Sequence, residues 1–160
     1  MKPVEPATDL PAFLGRPENG PFQEFYAYWR DKGGEKGMPA RADLDPLEIP
    51  GLLPNLFLID VVSGSPRRFR FRLVGTRIVE LEGEITNRFL DELVPPAPET
   101  AAMTRHYDDA TEGRLYMRRE TLGWHPRERA HVSYDVLLLP LSRDGETVDM
   151  LFGFCAYHVA

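Results

Sequence analysis

A single cysteine, Cys155, stands in a chain of 160 residues, so an internal disulfide and any zinc site built from several thiolates are excluded. Long apolar runs are missing too. Nothing approaches the roughly 20 consecutive apolar residues of a membrane-spanning helix, and the first residues are rich in proline and acid rather than in lysine followed by leucine. A soluble, cytoplasmic chain is the expectation, with no membrane as partner. Positive charge is also in deficit: 19 lysines and arginines face 25 aspartates and glutamates, a net charge of −6. Such a balance repels a phosphate backbone unless the basic groups gather on one face, so nucleic acid is not expected as a partner. No Gly-x-Ser-x-Gly turn offers a hydrolase nucleophile. His125, His131 and His158 are scattered without metal-site spacing, and no metal is expected.

What is present is a hydrophobic content of 42%, enough for one domain with a core at a length near the commonest domain size of about 100–150 residues. Met1 to Pro21 carries Pro3, Pro6, Pro11, Pro17 and Pro21; at that density prolines remove backbone donors and resist regular structure. Residues 1–21 are therefore expected as a flexible arm and residues 22–160 as a single domain. Phe22, Phe25, Tyr26 and Trp29 follow at i, i+3, i+4 and i+7, which places four large side chains on one face of a helix that Gly33-Gly34 ends. Asp45 before Pro46 caps a short helix, because the proline ring presets φ and its missing N–H would be unbonded there anyway.

Strands are expected at Asn55–Val62 and Arg68–Val74, joined by Ser63-Gly64-Ser65-Pro66. Alternation then stops. Gly75-Thr76 leads into short helices at Arg77–Leu81 and Arg88–Leu93, and Pro98 opens a longer one to Thr111. Three strands close the chain at Arg114–Trp124, Ala130–Leu141 and Val148–Val159, with turns at His125-Pro126 and at Arg143-Asp144-Gly145-Glu146. In the last strand Met150, Phe152, Phe154 and Ala156 alternate with Leu151, Gly153, Cys155, Tyr157 and Val159. Both faces are mostly apolar, so this strand should sit centrally with a cover on each side. One cover would be the mid-chain helices. The other would be the aromatic N-terminal helix, folded onto its own sheet or onto a partner's, and Phe22, Phe25, Tyr26 and Trp29 are the candidate interface of a homodimer.

These segments, together with Tyr28-Trp29-Arg30, Pro39-Ala40-Arg41-Ala42-Asp43-Leu44-Asp45-Pro46, Leu52-Leu53-Pro54-Asn55-Leu56-Phe57-Leu58, Phe69-Arg70-Phe71-Arg72-Leu73-Val74-Gly75-Thr76 and Leu138-Leu139-Pro140-Leu141, resemble a group of stand-alone alphaproteobacterial PAS-domain proteins. The likeness covers about Phe22 to Tyr157. It implies an α+β, PAS-like fold: a five-stranded antiparallel sheet with a helical lid inserted between strands 2 and 3 and an extra N-terminal amphipathic helix. PAS domains use the space under the lid for haem, flavin, small acids or nothing, and commonly pair through the helix preceding the first strand. Function does not follow from fold.

Each chemistry is therefore tested on residues. Flavin photosensors of this class carry Asn-Cys-Arg-Phe-Leu-Gln, and Thr86-Asn87-Arg88-Phe89-Leu90-Asp91 is superficially similar. The cysteine position holds Asn87, which removes the thiol for a flavin adduct. Haem-binding relatives ligate iron from the long helix before the third strand. There His106, one turn from Met103 and Ala110, is a candidate, set against the reading of a partly exposed histidine beside Asp109. Cys155 reads as a small apolar filler before a reactive thiolate. Arg72 alternates with Phe71 and Leu73 and so joins Arg68 and Arg70 on a solvated face; lining the pocket instead, it would hold a carboxylate by two parallel hydrogen bonds. Tyr116, Trp124 and Tyr134 complete the candidate pocket as amphipathic aromatics, with core packing as the alternative. Tyr134 and Asp135 point to opposite faces of a strand and cannot act as a pair in one cavity.

The expectation is a non-enzymatic sensor or adaptor that binds a small ligand or a signalling protein and acts through a helix-mediated interface. Two other classes stay open. One is a small cone-shaped enzyme of the ketosteroid-isomerase type, which would place long helices before most of its sheet. The other is a structural interaction domain whose cavity is filled by its own side chains.

Overall fold

The computed structural model describes residues 7–94, 97–122 and 132–159. Among the described residues six strands form one antiparallel sheet in the order β1-β4-β5-β6-β2-β3. They are β1 (Ala7–Asp9), β2 (Leu56–Val62), β3 (Arg68–Val74), β4 (Tyr116–Thr121), β5 (Val132–Leu141) and β6 (Met150–Val159). The sixth strand, beyond the five expected, comes from the segment read as an arm. Ala7–Asp9 pairs with Tyr116–Arg118, and α1 (Leu10–Leu14) follows directly, with the Asp9 carboxylate accepting the Ala12 N–H at 3.2 Å. Leu10 and Phe13 are buried. The arm is thus corrected for residues 7–21. Its prolines start helical turns instead of preventing them: Pro11, Pro17 and Pro21 each sit in a first turn, where a missing N–H has no cost.

The aromatic helix α2 runs Gly20–Gly33 and ends where Gly34, at φ 52°, donates its N–H to the Arg30 carbonyl. Its apolar face lies on the chain's own sheet. Phe25 packs on Phe152 and Phe154 at ring distances of 4.8 and 5.5 Å, Phe22 meets Phe154 edge-on at 4.9 Å, and the Trp29 indole donates to the Pro140 carbonyl at 2.8 Å. Phe22, Phe25 and Trp29 are buried and Tyr26 half-buried. Of the two arrangements expected, the helix thus takes the one on its own sheet, which covers Phe22, Phe25 and Trp29 and leaves Tyr26 partly open. Leu44, Ile49 and Leu52, from the short 3-10 turns that follow, extend the same layer. Asp45 caps the Pro46 turn as expected, accepting the Leu47 N–H at 3.0 Å.

The opposite face carries the lid: α3 (Thr76–Glu82), α4 (Leu90–Leu93) and α5 (Ala101–Thr111). At the switch from β3 to α3 the chain passes so close to residues 53–54 that a Cβ on Gly75 would lie 2.3 Å from the Pro54 carbonyl oxygen. Only glycine fits there. Between α3 and α4 the chain runs beside β3: the Asn87 N–H donates to Phe71 O at 2.7 Å and the Phe71 N–H to Arg88 O at 2.9 Å. This seals part of an edge that would otherwise offer unpaired backbone groups. Alternate residues of β6 enter the two cores, Leu151, Cys155 and Tyr157 under the lid, Met150, Phe152 and Phe154 under α2. The central, doubly covered strand read from the pattern is what the structure holds.

Candidate functional site

The space between lid and sheet is where a receptacle would lie. Two adjacent voids of about 30 Å³ each lie there among the described residues, and Glu82, Tyr107 and Tyr134 line both. A void of that size holds a water or two, against roughly 300–1,000 Å³ for a drug-sized ligand. Large side chains from every layer take up the remaining volume: Phe57, Phe71, Ile78 and Met103 among them. A wider, open cleft of about 280 Å³ lies outside the lid, between the β2–β3 turn and the start of α5. Its arginines are engaged, Arg67 with Asp108 and Glu112, and Arg68 with both oxygens of Asp91 at 2.7 and 2.8 Å.

The interior is nevertheless polar in an orderly way. On β4, Tyr116, Arg118 and Glu120 alternate toward the lid, and Leu122 just beyond the strand joins the core there. The Arg118 guanidinium donates to Glu120 at 2.6 Å, with both side chains largely buried; burial raises the Glu120 carboxyl despite this partner. The Tyr157 hydroxyl donates to Glu82, and burial pushes its pKa up. Burial likewise raises Tyr107, Tyr134 and Cys155 well above their ordinary values, so all three are protonated and uncharged. Cys155 is no thiolate nucleophile here.

His106 is only 2% exposed, so the expected partly exposed histidine is corrected. Its ring stacks on Tyr116 at 4.7 Å, and Nε2 lies 3.0 Å from the Tyr116 carbonyl. A carbonyl only accepts, which assigns the proton to Nε2. Beside it the Tyr116 hydroxyl donates to Asp109 at 2.7 Å. Burial, then that bond, pushes Tyr116 up to about 12. Burial works to raise Asp109 too, but the donors Tyr116 and Arg114 outweigh it and hold the carboxyl low.

Burial lowers the His106 pKa to about 4 from 6.5, against the pull of the Tyr116 carbonyl. As pH falls from 6.5 toward 4, the unfolded chain takes up a proton that the folded chain refuses. The contribution is therefore full above pH 6.5, declines by about 3 kcal/mol across that window, and changes no further below it. Urea unfolding of wild type and His106→Gln at pH 7 and pH 4.5 should show the wild type losing its advantage over the variant. Parallel pH profiles would refute this.

The remaining candidates fall apart spatially. Tyr134 and Cys155 line the lid-side void with His106; Tyr116 packs behind His106 without reaching it. Trp124 lies outside the described residues. Arg72 is on the other side of the sheet, as the solvated reading holds, with its side chain 59% exposed. Asp135 faces away from Tyr134 and accepts two hydrogen bonds from Arg119 and a contact from His158 Nε2 at 3.0 Å. Glu82 and Glu120 also line the void, and residue spacing does not single them out. Glu120 was within reach, since it shares Tyr116's strand parity; Glu82, at the end of α3 before Gly83, carries no such signal. Neither void among the described residues has room for a haem or flavin ring system, Nε2 of His106 is engaged, and Asn87, at φ 68°, offers no thiol.

An antiparallel sheet with a helical lid between β3 and the last three strands defines an α+β domain of the kind expected. The chain belongs to the PAS domain family, whose profile matches residues 18–156. Domains of this family are sensory or signalling modules. No curated protein matches the chain. Two solved structures are similar: the light state of the blue-light photoreceptor Aureochrome1 LOV, at 12% identity and TM-score 0.44 over 68% of this chain and 84% of that one, and an RNA-binding Light-Oxygen-Voltage receptor, at 13% and 0.46 over 74% and 35%. Likeness at this level says nothing of ligand or partner.

Proposed function

We propose that this chain is a non-enzymatic signalling adaptor of the PAS family that works by docking a partner protein. The observation that carries the reading is the small size of the two voids described under the lid, about 30 Å³ each, with tyrosines, Phe57 and Phe71 packed around them. Tyr134 and Asp135 lie on opposite faces of β5 and Cys155 is protonated, which supports a non-enzymatic reading. The ketosteroid-isomerase alternative is disfavoured by element order, since β2 and β3 precede the lid. The aromatic face of α2 packs on its own sheet, which supports a partner interface elsewhere on the surface. The charge balance and soluble composition accord with a cytoplasmic setting.

Native mass spectrometry of freshly purified protein is expected to give the mass of the polypeptide alone. Retained extra mass would favour the second reading, a small ligand with hydrogen-bond donors held between Glu82 and Glu120. The polar groups around the void support that reading, and it requires α5 to move outward.

A further inference from the structure

The part of the sheet that α2 does not reach ends in a groove of about 740 Å³, formed by the 3-10 turn at Arg41–Asp43, β2, β3, the β5–β6 turn and the start of β6. A β-bulge makes it. The β2–β3 register shifts between Leu58 and Ile59, so Leu73 sits opposite Leu58 while Phe71 sits opposite Ile59. Arg72 is the extra residue, and both Arg72 and Leu73 line the groove instead of alternating away from one another. The floor is apolar: Leu58, Leu73 and Met150, with Leu73 42% exposed, one of three large apolar side chains exposed among the described residues.

Three guanidinium groups stand around that floor, from Arg41, Arg72 and Arg143. Two are loosely held. Arg72 Nε lies 3.8 Å from Asp60 and Arg143 Nε 3.8 Å from Asp149, beyond hydrogen-bond reach, and the Arg143 side chain is 85% exposed. The two carboxylates are already served by other donors, Asp60 by the Arg70 guanidinium at 3.0 and 3.2 Å, Asp149 by the Arg143 backbone N–H at 2.8 Å. Among the described residues, neither the Arg72 nor the Arg143 guanidinium makes a hydrogen bond. On a chain of net charge −6 this groove sets three guanidinium groups against two carboxylates, Asp60 and Asp149, beside exposed apolar surface.

We infer that the groove docks an acidic segment of a partner protein, in which spaced carboxylates meet Arg72, Arg143 and Arg41 and an apolar side chain enters between Leu58, Leu73 and Met150. Planar guanidinium donors match carboxylates in pairs of parallel bonds. A nucleic-acid backbone fits less well, because Asp60 and Asp149 repel a dense row of phosphates and the apolar floor gives it nothing. The inference rests on the adaptor reading and names its partner's chemistry.

The probe is a fluorescein-labelled synthetic peptide of alternating glutamate and leucine, with a lysine-for-glutamate peptide as control. Fluorescence anisotropy should report binding of the acidic peptide alone, weakening as salt rises, with amide shifts in the NMR spectrum centred on residues 41–42, 72–73 and 143–150. Arg72→Ala with Arg143→Ala should weaken binding about tenfold while unfolding at the wild-type denaturant concentration, since both side chains are exposed. Shifts confined to other surfaces, affinity unmoved in the double variant, tighter binding of single-stranded RNA, or a second copy of the chain producing the same shifts would each overturn it. A retained small molecule in native mass spectrometry would count against the adaptor reading alone, and leaves these outcomes separately readable.

Discussion

Gly153→Ala is expected to destabilise the protein by about 3 kcal/mol, the upper end of ordinary overpacking, although strand preference by itself favours alanine over glycine. The reason is a single close approach. Gly153 lies in β6 opposite Phe57 of β2 and Leu138 of β5, at the middle of the sheet. A Cβ built on it would meet three atoms of the Phe57 ring at 2.1, 2.4 and 2.5 Å. The ring cannot swing away: Phe57 is 3% exposed, 6.0 Å from the Phe71 ring, and part of the core beneath the lid. Urea unfolding of Gly153→Ala, Phe57→Leu and the double variant tests this as a cycle. The double variant should be well above the sum of the singles, because trimming the ring makes the room the methyl needs. Strict additivity would mean that ring and methyl never compete.

Trp29→Ala is expected to cost about 4 kcal/mol, within the range for emptying a buried indole site. Two losses combine. The side chain leaves a space against Leu139 and Leu141 in the layer beneath α2, and the Pro140 carbonyl loses its indole donor at 2.8 Å. Pro140 lies beyond Val136, the last β5 residue that the described part of β4 pairs with in that direction, so α2 supplies the partner there. Trp29→Phe keeps most of the bulk and should cost only about 1–2 kcal/mol, the share of the lost hydrogen bond. Urea midpoints give both values, and sedimentation should show the same particle mass for all three proteins. Unchanged stability of Trp29→Ala would refute the covering role; a change in mass would return the helix to an intermolecular one.

Where alternation is regular the sequence was easy to read. Arg68–Val74 is a strand with the bounds expected from it, and β2, β5 and β6 begin and end within two residues of the expected positions at their described ends. The two covers on β6 followed from its two apolar faces. In the N-terminal segment proline density hides regular structure, because Pro11, Pro17 and Pro21 each sit in a first turn. The signal for α1 was there: Asp9 as cap, Pro11 in the first turn, and Leu10 and Phe13 three apart. A three-residue strand such as β1 has no period long enough to detect. The bulge at Leu58/Ile59 is illegible for a deeper reason: it is a property of two strands paired, and it turns the parity of Leu73 against the alternation of its own strand. Burial of His106 was equally hidden, since its partner is a backbone carbonyl ten residues on.

The two cores of this small domain share one wall that is a single ribbon thick. Successive residues of β6 look into opposite compartments, Phe154 toward the aromatic helix and Cys155 toward the tyrosines, so neither compartment can be repacked at this wall without tugging on the other. Mutational scans along residues 151–157 should consequently report disturbances from both sides at once, and a movement of the lid reaches the helix layer by one peptide step.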